Sequence, residues 1–318
     1  MNLFHYFFSK KQRNILTDID AVKVLFLQEV KKNPNHHLGI LVSDHDAFKY
    51  IFDKIKYKER LSNIIPQPDA FCEMKKGNGD PLKINFPEPT GININMMPIV
   101  LRWREYLPDY LKGYYNMIDL CVREQIGVEG VWEKCYEGKW IGYLTIQESI
   151  VEPGETQRRP GLHIESPLGK GRLIPQPDYK KVSEEEYHNS EWKSIAWGTG
   201  RWSGTHHADG IYMASNTENS TKLYPYLVEN SEKVTDIHGG LEEYQNDLEG
   251  EIMKKDTMYW FTDKTPHESL PNLTDKPVYR QFFRLVVGPI GVWYSQHNTP
   301  NPLGVQPETL IVDTNKFN

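Results

Sequence analysis

The sequence predicts an α+β protein in which a helical N-terminal part precedes an all-β core of the sandwich or barrel type. Two observations lead to this fold class. Apolar residues recur at helical spacing in the first third, and from about Trp132 short strand-like runs alternate with turn residues. We therefore expect a mainly helical region over residues 1–125, packed on a β core over residues 126–318. A chain of 318 residues is long enough for this arrangement.

The clearest helix signal of the N-terminal part begins at Ser43. This residue can cap a helix, with Asp46 in the capping-box position. An apolar face then follows at i, i+3, i+4 and i+7, formed by Phe48, Ile51, Phe52 and Ile55. We also expect a short strand over 37–43, helices over 18–32 and around 98–122, and a Gly/Pro-rich loop over 75–92.

The β core is predicted from about eight short runs rich in apolar and β-branched residues, each followed by Gly, Pro, Asn or Asp. The runs are 140–149, 161–165, 194–198, 210–216, 221–227, 257–262, 278–287 and 291–295. Such spacing is typical of antiparallel sandwiches and barrels, so we expect the C-terminal part to form one.

The charge pattern argues against an extended nucleic acid as partner. The net charge is −6 and no stripe of Lys and Arg is present, although a single nucleotide in a pocket stays compatible with the sequence. No segment has the length of a membrane span, and the apolar run near the start is too short for a signal peptide. Cys72, Cys121 and Cys135 show neither metal-binding nor disulfide spacing. We expect a soluble, intracellular and cytoplasmic protein with no membrane partner.

Two His-x-acid pairs are candidate halves of a metal site, His163-Ile-Glu165 and His207-Ala-Asp209. The chain has 11 His and 43 acidic residues, so chance alone gives roughly one or two such pairs. Spacing by itself therefore does not distinguish a metal site from polar residues at a turn or a strand end.

The residues downstream favour the second pair. His267 follows His207 after about sixty residues, and the strand predicted over 278–287 comes next. Arg280 and Arg284 lie on one face of that strand, because residues i and i+4 of a strand point the same way. The alternative is structural, with the histidines at strand ends and the arginines paired with acidic residues of a neighbouring strand.

The order HHAD, TPHES, RQFFR resembles that of Fe(II)- and 2-oxoglutarate-dependent oxygenases, whose fold is a double-stranded β-helix, a cupin-like jelly roll. The resemblance covers roughly residues 140–290. It implies a metal and catalytic centre of His207, Asp209 and His267, with Arg280, or alternatively Arg284, binding the cosubstrate. The chain departs from the family at Phe282, where a small hydroxyl residue is frequent.

The residue types suit the implied chemistry. Two imidazoles and one carboxylate hold Fe(II) on one face and leave the remaining positions for 2-oxoglutarate and dioxygen. An arginine suits the far carboxylate of 2-oxoglutarate, because its planar fork pairs with both oxygens. An aromatic-rich barrel would exclude water from the reacting centre.

The first pair offers a competing ligand set. The segment GLHIES also resembles the turn and strand that carry the His-x-acid motif in many such enzymes. The ligands would then be His163, Glu165 and His267, and GTHHAD would be a loop at the lip of the pocket. His163 could instead contact substrate or cosubstrate, with Arg158 and Arg159 as candidate anion-binding residues.

The sequence supports three functions. The first is a non-haem Fe(II), 2-oxoglutarate-dependent dioxygenase, an oxidoreductase that hydroxylates a substrate the sequence does not name. The second is a jelly-roll binding or structural protein without catalysis, such as a virion component. The third is a cupin-type metal enzyme, for example an isomerase, that uses His163 as well.

Overall fold

A computed structural model of the protein describes residues 45–75, 79–125, 140–166, 181–182, 196–203 and 206–316. The chain forms two compact units, residues 1–62 and 63–318. The helix expected over 18–32 and the strand expected over 37–43 lie outside the described residues.

The described part contains few helices and many short strands. The α-helices are α1 (His45–Leu61), α2 (Tyr115–Gln125) and the single turn α3 (Ser231–Val234). The strands are β1 (Ile64–Pro66), β2 (Phe71–Glu73), β3 (Asn93–Val100), β4 (Ile141–Val151), β5 (Lys181–Val182), β6 (Gly200–Ser203), β7 (His206–Asp209), β8 (Ile211–Ser215), β9 (Thr221–Leu223), β10 (Tyr226–Val228), β11 (Glu251–Ile252), β12 (Tyr259–Phe261), β13 (His267–Ser269), β14 (Val278–Val286), β15 (Val292–Tyr294) and β16 (Leu310–Val312).

A six-stranded antiparallel sheet forms the centre of the unit 63–318, in the order β2-β12-β8-β14-β4-β3. Strand β14 pairs with β4 from Val278 opposite Val151 to Val286 opposite Tyr143, and with β8 on its other side. A large sheet of this kind is consistent with a jelly roll. A β-bulge lies between Ile94 and Met97 of β3.

Four smaller sheets accompany the large one. The sheet β11-β9-β13 and the pairs β1-β10 and β6-β7 are antiparallel, whereas β15-β16-β5 is parallel. The fold class is thus a mixture of helices and mostly antiparallel sheets. Among the described residues, no helix combines the length and the apolar character needed to cross a membrane.

The two faces of the large sheet carry separate apolar cores. Phe283 and Leu285 of β14 are fully buried and belong to a cluster that also contains residues of α2. Phe282 and Val286 point to the opposite face and belong to a second cluster. Because side chains alternate along a strand, Arg280 and Arg284 share the face of Phe282.

Most of the expected strands are confirmed, at 140–149, 210–216, 257–262, 278–287 and 291–295. The run 221–227 is divided into β9 and β10 around Tyr224-Pro225, since Pro225 cannot donate to a strand ladder. In the run 161–165 only His163 makes a bridge. Residues 194–195 lie outside the described residues, and Trp197 makes a bridge to Ile290.

The division of the chain differs from the expected boundary at residue 125. The second unit begins at Asn63, and it includes β2 and β3, two strands of the large sheet from the region expected to be mainly helical. The helix expected around 98–122 is replaced at its start by the end of β3, and only α2 is α-helical. The apolar residues of β3 are divided between the two apolar clusters, one on each face of the sheet. A helix would have placed its apolar residues on a single face.

Candidate functional site

A cavity of about 330 Å³ lies in the unit 63–318, on the face of the large sheet that carries Arg280, Phe282 and Arg284. The three residues are spaced by two along β14, which directs all of them into the cavity. Strands β9 and β13 and the segment 157–165 also line the cavity. The bulge in β3 adds Asn95 and Met96, consistent with the tendency of bulges to redirect side chains beside sites.

Two histidines, 104 positions apart in the chain, lie side by side in this cavity. The His163 amide donates to the His267 carbonyl at 3.0 Å, and the His267 amide donates to the His163 carbonyl at 2.9 Å. This exchange makes them a hydrogen-bonded antiparallel pair, whose side chains lie on one face. The ring centroids are 4.6 Å apart.

Both imidazoles are held by a hydrogen bond from Nδ1 to a backbone carbonyl. Nδ1 of His163 lies 2.7 Å from the carbonyl oxygen of Gly161, and Nδ1 of His267 lies 3.0 Å from that of Thr265. A carbonyl only accepts hydrogen bonds, so Nδ1 of each ring carries a proton. Burial, followed by the neighbouring His267, lowers the pKa of His163 to about 3. His163 is therefore neutral, the form in which imidazole binds metals.

Glu165 places a carboxylate beside the two imidazoles. It follows His163 by two residues, and its Oε1 lies 3.7 Å from Nε2 of His267. Arg284 forms an ion pair with the same oxygen, and Nζ of Lys316 lies 3.7 Å from Oε2. Burial alone would raise the pKa of Glu165, but Arg284 and the other neighbours hold it well below its usual range. The Glu165 side chain is consequently ionised although it is buried.

Arg280 is the second buried arginine of β14, with 3% of its surface exposed. Its terminal nitrogens lie 3.4 and 3.5 Å from the carbonyl oxygen of Leu270, which are long contacts. Within the described part of the chain, its Nε has no hydrogen-bond partner and no carboxylate is within salt-bridge distance. Burial lowers its pKa. A buried guanidinium in this state favours an anionic ligand.

The segment before His163 adds cationic and amide groups. Nη1 of Arg158 lies 3.3 Å from Oε1 of Gln147, and its guanidinium carbon lies 5.3 Å from the centre of the Phe282 ring. Burial, and then the charge of Arg284, lowers the pKa of Arg158 to about 10. Arg159 donates to the carbonyl of His238 at 2.6 Å.

Lys316, near the end of the sequence, also lines the cavity. Its Nζ lies 4.5 Å from the centre of the Trp197 ring. Burial, together with the charges of three nearby guanidinium groups, lowers its pKa to about 8, although Glu165 acts in the opposite direction. Five cationic side chains and two carboxylates line the cavity among the described residues, which makes it electropositive.

His207 and Asp209 lie outside the residues that line this cavity. Nδ1 of His207 is 3.7 Å from Sγ of Cys72, and its ring centre is 4.6 Å from that of Trp260. Asp209 binds Arg201 of the paired strand β6 through two contacts of 2.8 Å, and its carbonyl accepts from the Trp260 indole. With φ of 56°, Asp209 ends β7 in a left-handed conformation.

The structure therefore brings the first His-x-acid pair, not the second, beside His267. His163, Glu165, His267, Arg280 and Arg284 line one cavity, whereas His207 and Asp209 are not among the described residues that line it. In the part of the chain that is described, no group of three His, Cys, Asp or Glu side chains has the spacing of a formed metal site. Cys72 and Cys121 form no disulfide among the described residues, and Cys135 lies outside them.

Sequence reasoning missed Lys316 and the amide residues. Lys316 stands in no motif, and the 151 positions between it and Glu165 give no sign of the contact. Gln157 also stands in no motif, so the sequence did not indicate its contacts. Its amide donates to the carbonyl of Arg280 at 2.8 Å and to that of Gln147 at 3.1 Å. Its neighbours Arg158 and Arg159 were found because they stand beside the GLHIES motif.

The residue types suit a divalent metal of the Fe(II) class, although the described side chains do not have the spacing of a formed metal site. Two imidazoles hydrogen-bonded through Nδ1 and one ionised carboxylate are the ligand types of the two-histidine, one-carboxylate centres. The Nδ1 hydrogen bonds to backbone carbonyls are the outer contacts that usually orient metal-binding histidines. Arg284 and Lys316 keep Glu165 ionised, which is the state a ligand requires.

No protein-family model matches the chain, and no curated protein matches it. Solved structures with some likeness include EvdO2 from Micromonospora carbonacea var. aurantiaca, at 12% identity, 79% coverage of this chain, 95% of that chain and a TM-score of 0.30. The complex of EvdO2 with 2-oxoglutarate has the same identity and coverage and a TM-score of 0.27. CytC3 with Fe(II) and alpha-ketoglutarate is 10% identical, with 61% and 72% coverage and a TM-score of 0.21. TM-scores this low assign neither a fold nor an activity to the chain.

Proposed function

We propose that the chain is a non-haem Fe(II)- and 2-oxoglutarate-dependent oxygenase, with His163, Glu165 and His267 as the metal ligands. The observation that supports the proposal most directly is the cross-strand pairing of His163 with His267. Both rings direct Nε2 away from a backbone carbonyl, and Glu165 lies on the same side. We therefore prefer the set with His163 and Glu165 to the set with His207 and Asp209.

The chain's own residues would bind and orient the reactants. Fe(II) with 2-oxoglutarate, when bound, supplies oxidative hydroxylation of a substrate carbon. Arg280 would bind the far carboxylate of 2-oxoglutarate, because it is buried, cationic and without a carboxylate partner in the described part. Trp197, Met213 and Phe282 would limit the access of water. In this proposal the two sheets flanking the cavity are the two layers of a double-stranded β-helix.

Arg284, the alternative cosubstrate residue, has a different role in the proposal. It is ion-paired with Glu165 and is therefore a positioning residue for a metal ligand. Breaking a buried ion pair of this kind usually costs about 3–5 kcal/mol of stability. Arg280 forms no ion pair with a carboxylate among the described residues, which is why we assign it to the cosubstrate.

The test combines metal binding with cosubstrate turnover. Under anaerobic conditions the purified chain is expected to bind one Fe(II), and on admission of air to convert 2-oxoglutarate to succinate slowly without added substrate. His163→Ala and His267→Ala should each abolish stoichiometric iron binding, because a facial site with two protein ligands holds the metal weakly.

His207→Ala is the matched control. It removes a histidine that lies outside the cavity, so iron binding and succinate formation should persist. Loss of iron in His207→Ala with retention in His163→Ala would restore the set His207, Asp209 and His267. Iron binding without succinate would favour the cupin-type metal enzyme instead.

A second candidate function is a jelly-roll binding protein without catalysis. It is favoured by one observation: Arg284 and Lys316 already balance the charge of the ionised Glu165, and the buried Arg280 has no carboxylate partner among the described residues, which favours an anion over a metal. This candidate predicts that 2-oxoglutarate binds equally well with and without a divalent metal. Metal-dependent binding of 2-oxoglutarate would exclude it.

A further inference from the structure

The short segment that carries His163 is paired on both of its sides. On one side His163 exchanges two backbone hydrogen bonds with His267. On the other side it forms an antiparallel bridge with Gly240, which belongs to a turn formed by residues 236–240. The position of His163 therefore depends on this turn as well as on the second proposed histidine ligand.

Backbone hydrogen bonds on both flanks of His163 join its segment to the turn. The amide of Ile164 donates to the carbonyl of Gly239 at 3.0 Å. The amide of Leu241, directly after the turn, donates to the carbonyl of Leu162 at 2.7 Å. These two bonds and the bridge at His163 form a ladder, so a displacement of the turn displaces the histidine with it.

Arg159 adds a side-chain contact to the same turn. Its Nη1 donates to the carbonyl of His238 at 2.6 Å. The sequence indicated Arg159 as a candidate anion-binding residue, whereas the structure directs this nitrogen to the backbone of the turn. The residues before and after His163 are thus both attached to residues 236–240.

Asp236 fixes the shape of the turn. Its Oδ1 accepts from the amides of His238 at 2.8 Å and Gly240 at 2.7 Å, and its carbonyl accepts from the amide of Gly239 at 3.1 Å. Aspartate commonly stabilises turns by accepting from the backbone two residues later. Asp236 is itself exposed, so it can be replaced without opening an apolar core.

Gly239 allows the turn to approach the His163 segment closely. Its φ is 86°, a left-handed conformation that favours glycine. A Cβ at this position would lie 2.3 Å from the carbonyl oxygen of Ile164, so a side chain would force the two backbones apart. Gly304 has a similar φ of 79°, but no described atom beyond its chain neighbours lies within 4 Å of a Cβ placed there.

We propose that the 236–240 turn positions the metal ligand His163, and that Asp236 and Gly239 act on metal affinity through this histidine. The assignment rests on the proposed metal-binding function. None of the described residues that line the cavity belongs to the turn. An effect of the turn on the metal would therefore have to pass through the segment that it holds.

The first measurement needs no metal and uses the full chain. Amide hydrogen exchange, followed by NMR, reports how firmly the Ile164 amide is held. We expect Gly239→Ala and Asp236→Ala each to speed its exchange at least about tenfold. Asp236→Asn should retain most of the protection, because its amide oxygen can still accept from the turn. Gly304→Ala is the matched control for backbone strain without a clash, and it should leave this exchange unchanged.

The second measurement is the Mn(II) affinity, determined by calorimetry. Gly239→Ala and Asp236→Ala are each expected to weaken it about tenfold, as is usual when a contact that orients a metal ligand is lost. In a His163→Ala background, Asp236→Ala should cause no further loss of the residual affinity at millimolar Mn(II). Equal losses in both backgrounds would show a general structural effect and would overturn the proposal.

The remaining outcomes separate this proposal from the oxygenase function. If the unaltered chain binds Mn(II) and neither variant changes its affinity or the Ile164 exchange, the positioning role is overturned and the oxygenase function stands. Faster exchange with unchanged affinity overturns it as well. If the unaltered chain binds no Mn(II) but both variants exchange faster, the turn holds the His163 segment, and the metal assignment fails together with the oxygenase function.

Discussion

Arg280 and Arg284 show how two identical residues on one strand face can differ in chemical role. They are four positions apart on β14 and both are buried. Arg284 is paired with Glu165, whereas Arg280 has only long contacts to the Leu270 carbonyl among the described residues. The difference comes from what lies opposite each residue, not from the strand itself.

Arg280→Gln is expected to raise the dissociation constant of 2-oxoglutarate by about 30-fold, equivalent to about 2 kcal/mol for a lost charge-assisted contact. Arg280→Lys should recover only part of this, because an ammonium group lacks the planar fork. Calorimetry in the presence of Mn(II) measures both. Arg104→Gln, at an exposed position, is the control, and equal affinities of Arg280→Gln and Arg104→Gln would contradict the assignment.

At the scale of elements, Glu148 joins the loop before β3 to the large sheet. Its Oε2 accepts from the amides of Thr90 at 2.7 Å and Ile92 at 2.8 Å, and its Oε1 accepts from Tyr114 at 2.7 Å. It is 6% exposed and lies next to Gln147, which lines the cavity from the other face of β4. The network thus supports the back of the strand that carries part of the site.

The same network predicts a pH dependence of stability. Burial alone would raise the pKa of Glu148, but the hydrogen bonds from Ile92, Tyr114 and Thr90 lower it below 4.5. A carboxyl with a lowered folded-state pKa contributes stability above its unfolded pKa and loses that contribution as the pH falls through the folded value.

Glu148→Gln should therefore lower the free energy of unfolding by about 2 kcal/mol near neutral pH, since it removes hydrogen bonds to a charged acceptor. The difference from the unaltered protein should shrink as the pH falls below about 4.5, where the unfolded carboxyl takes up protons, and should vanish once the pH has passed the lowered pKa of the folded carboxyl. Urea unfolding across this range measures it. Glu152→Gln, at an exposed position directly after β4, is the control. A pH-independent difference would contradict the role given to the charge.

At the scale of the whole molecule, the site belongs to a single unit of the chain. Every residue that lines the cavity, and both apolar clusters of the large sheet, come from residues 63–318. A β-rich unit of this size buries enough apolar surface to fold independently.

A fragment of residues 63–318 is accordingly expected to fold and to bind Mn(II) and 2-oxoglutarate with affinities within about twofold of the full chain. Near-ultraviolet circular dichroism tests the packing of its aromatic core, and calorimetry tests the binding. A fragment with the dichroism of the full chain but no metal affinity would show that residues 1–62 complete the site.

The sequence by itself determined the strand-rich core, its turns, the arginines on one face of β14 and the existence of two His-x-acid pairs. These features depend on local periodicity, which is a property of neighbouring residues. It also set out both ligand sets but favoured His207 and Asp209, because they share a motif order with His267.

Only the tertiary structure decided which pair lies beside His267. The pairing of His163 with His267 consists of two backbone hydrogen bonds between segments 104 positions apart, and strand pairing over such distances is set by the packing of sheets. The position of Lys316 beside Glu165 was decided in the same way. Sequence spacing records which residues follow one another, whereas a metal or anion site depends on which residues face one another across a fold.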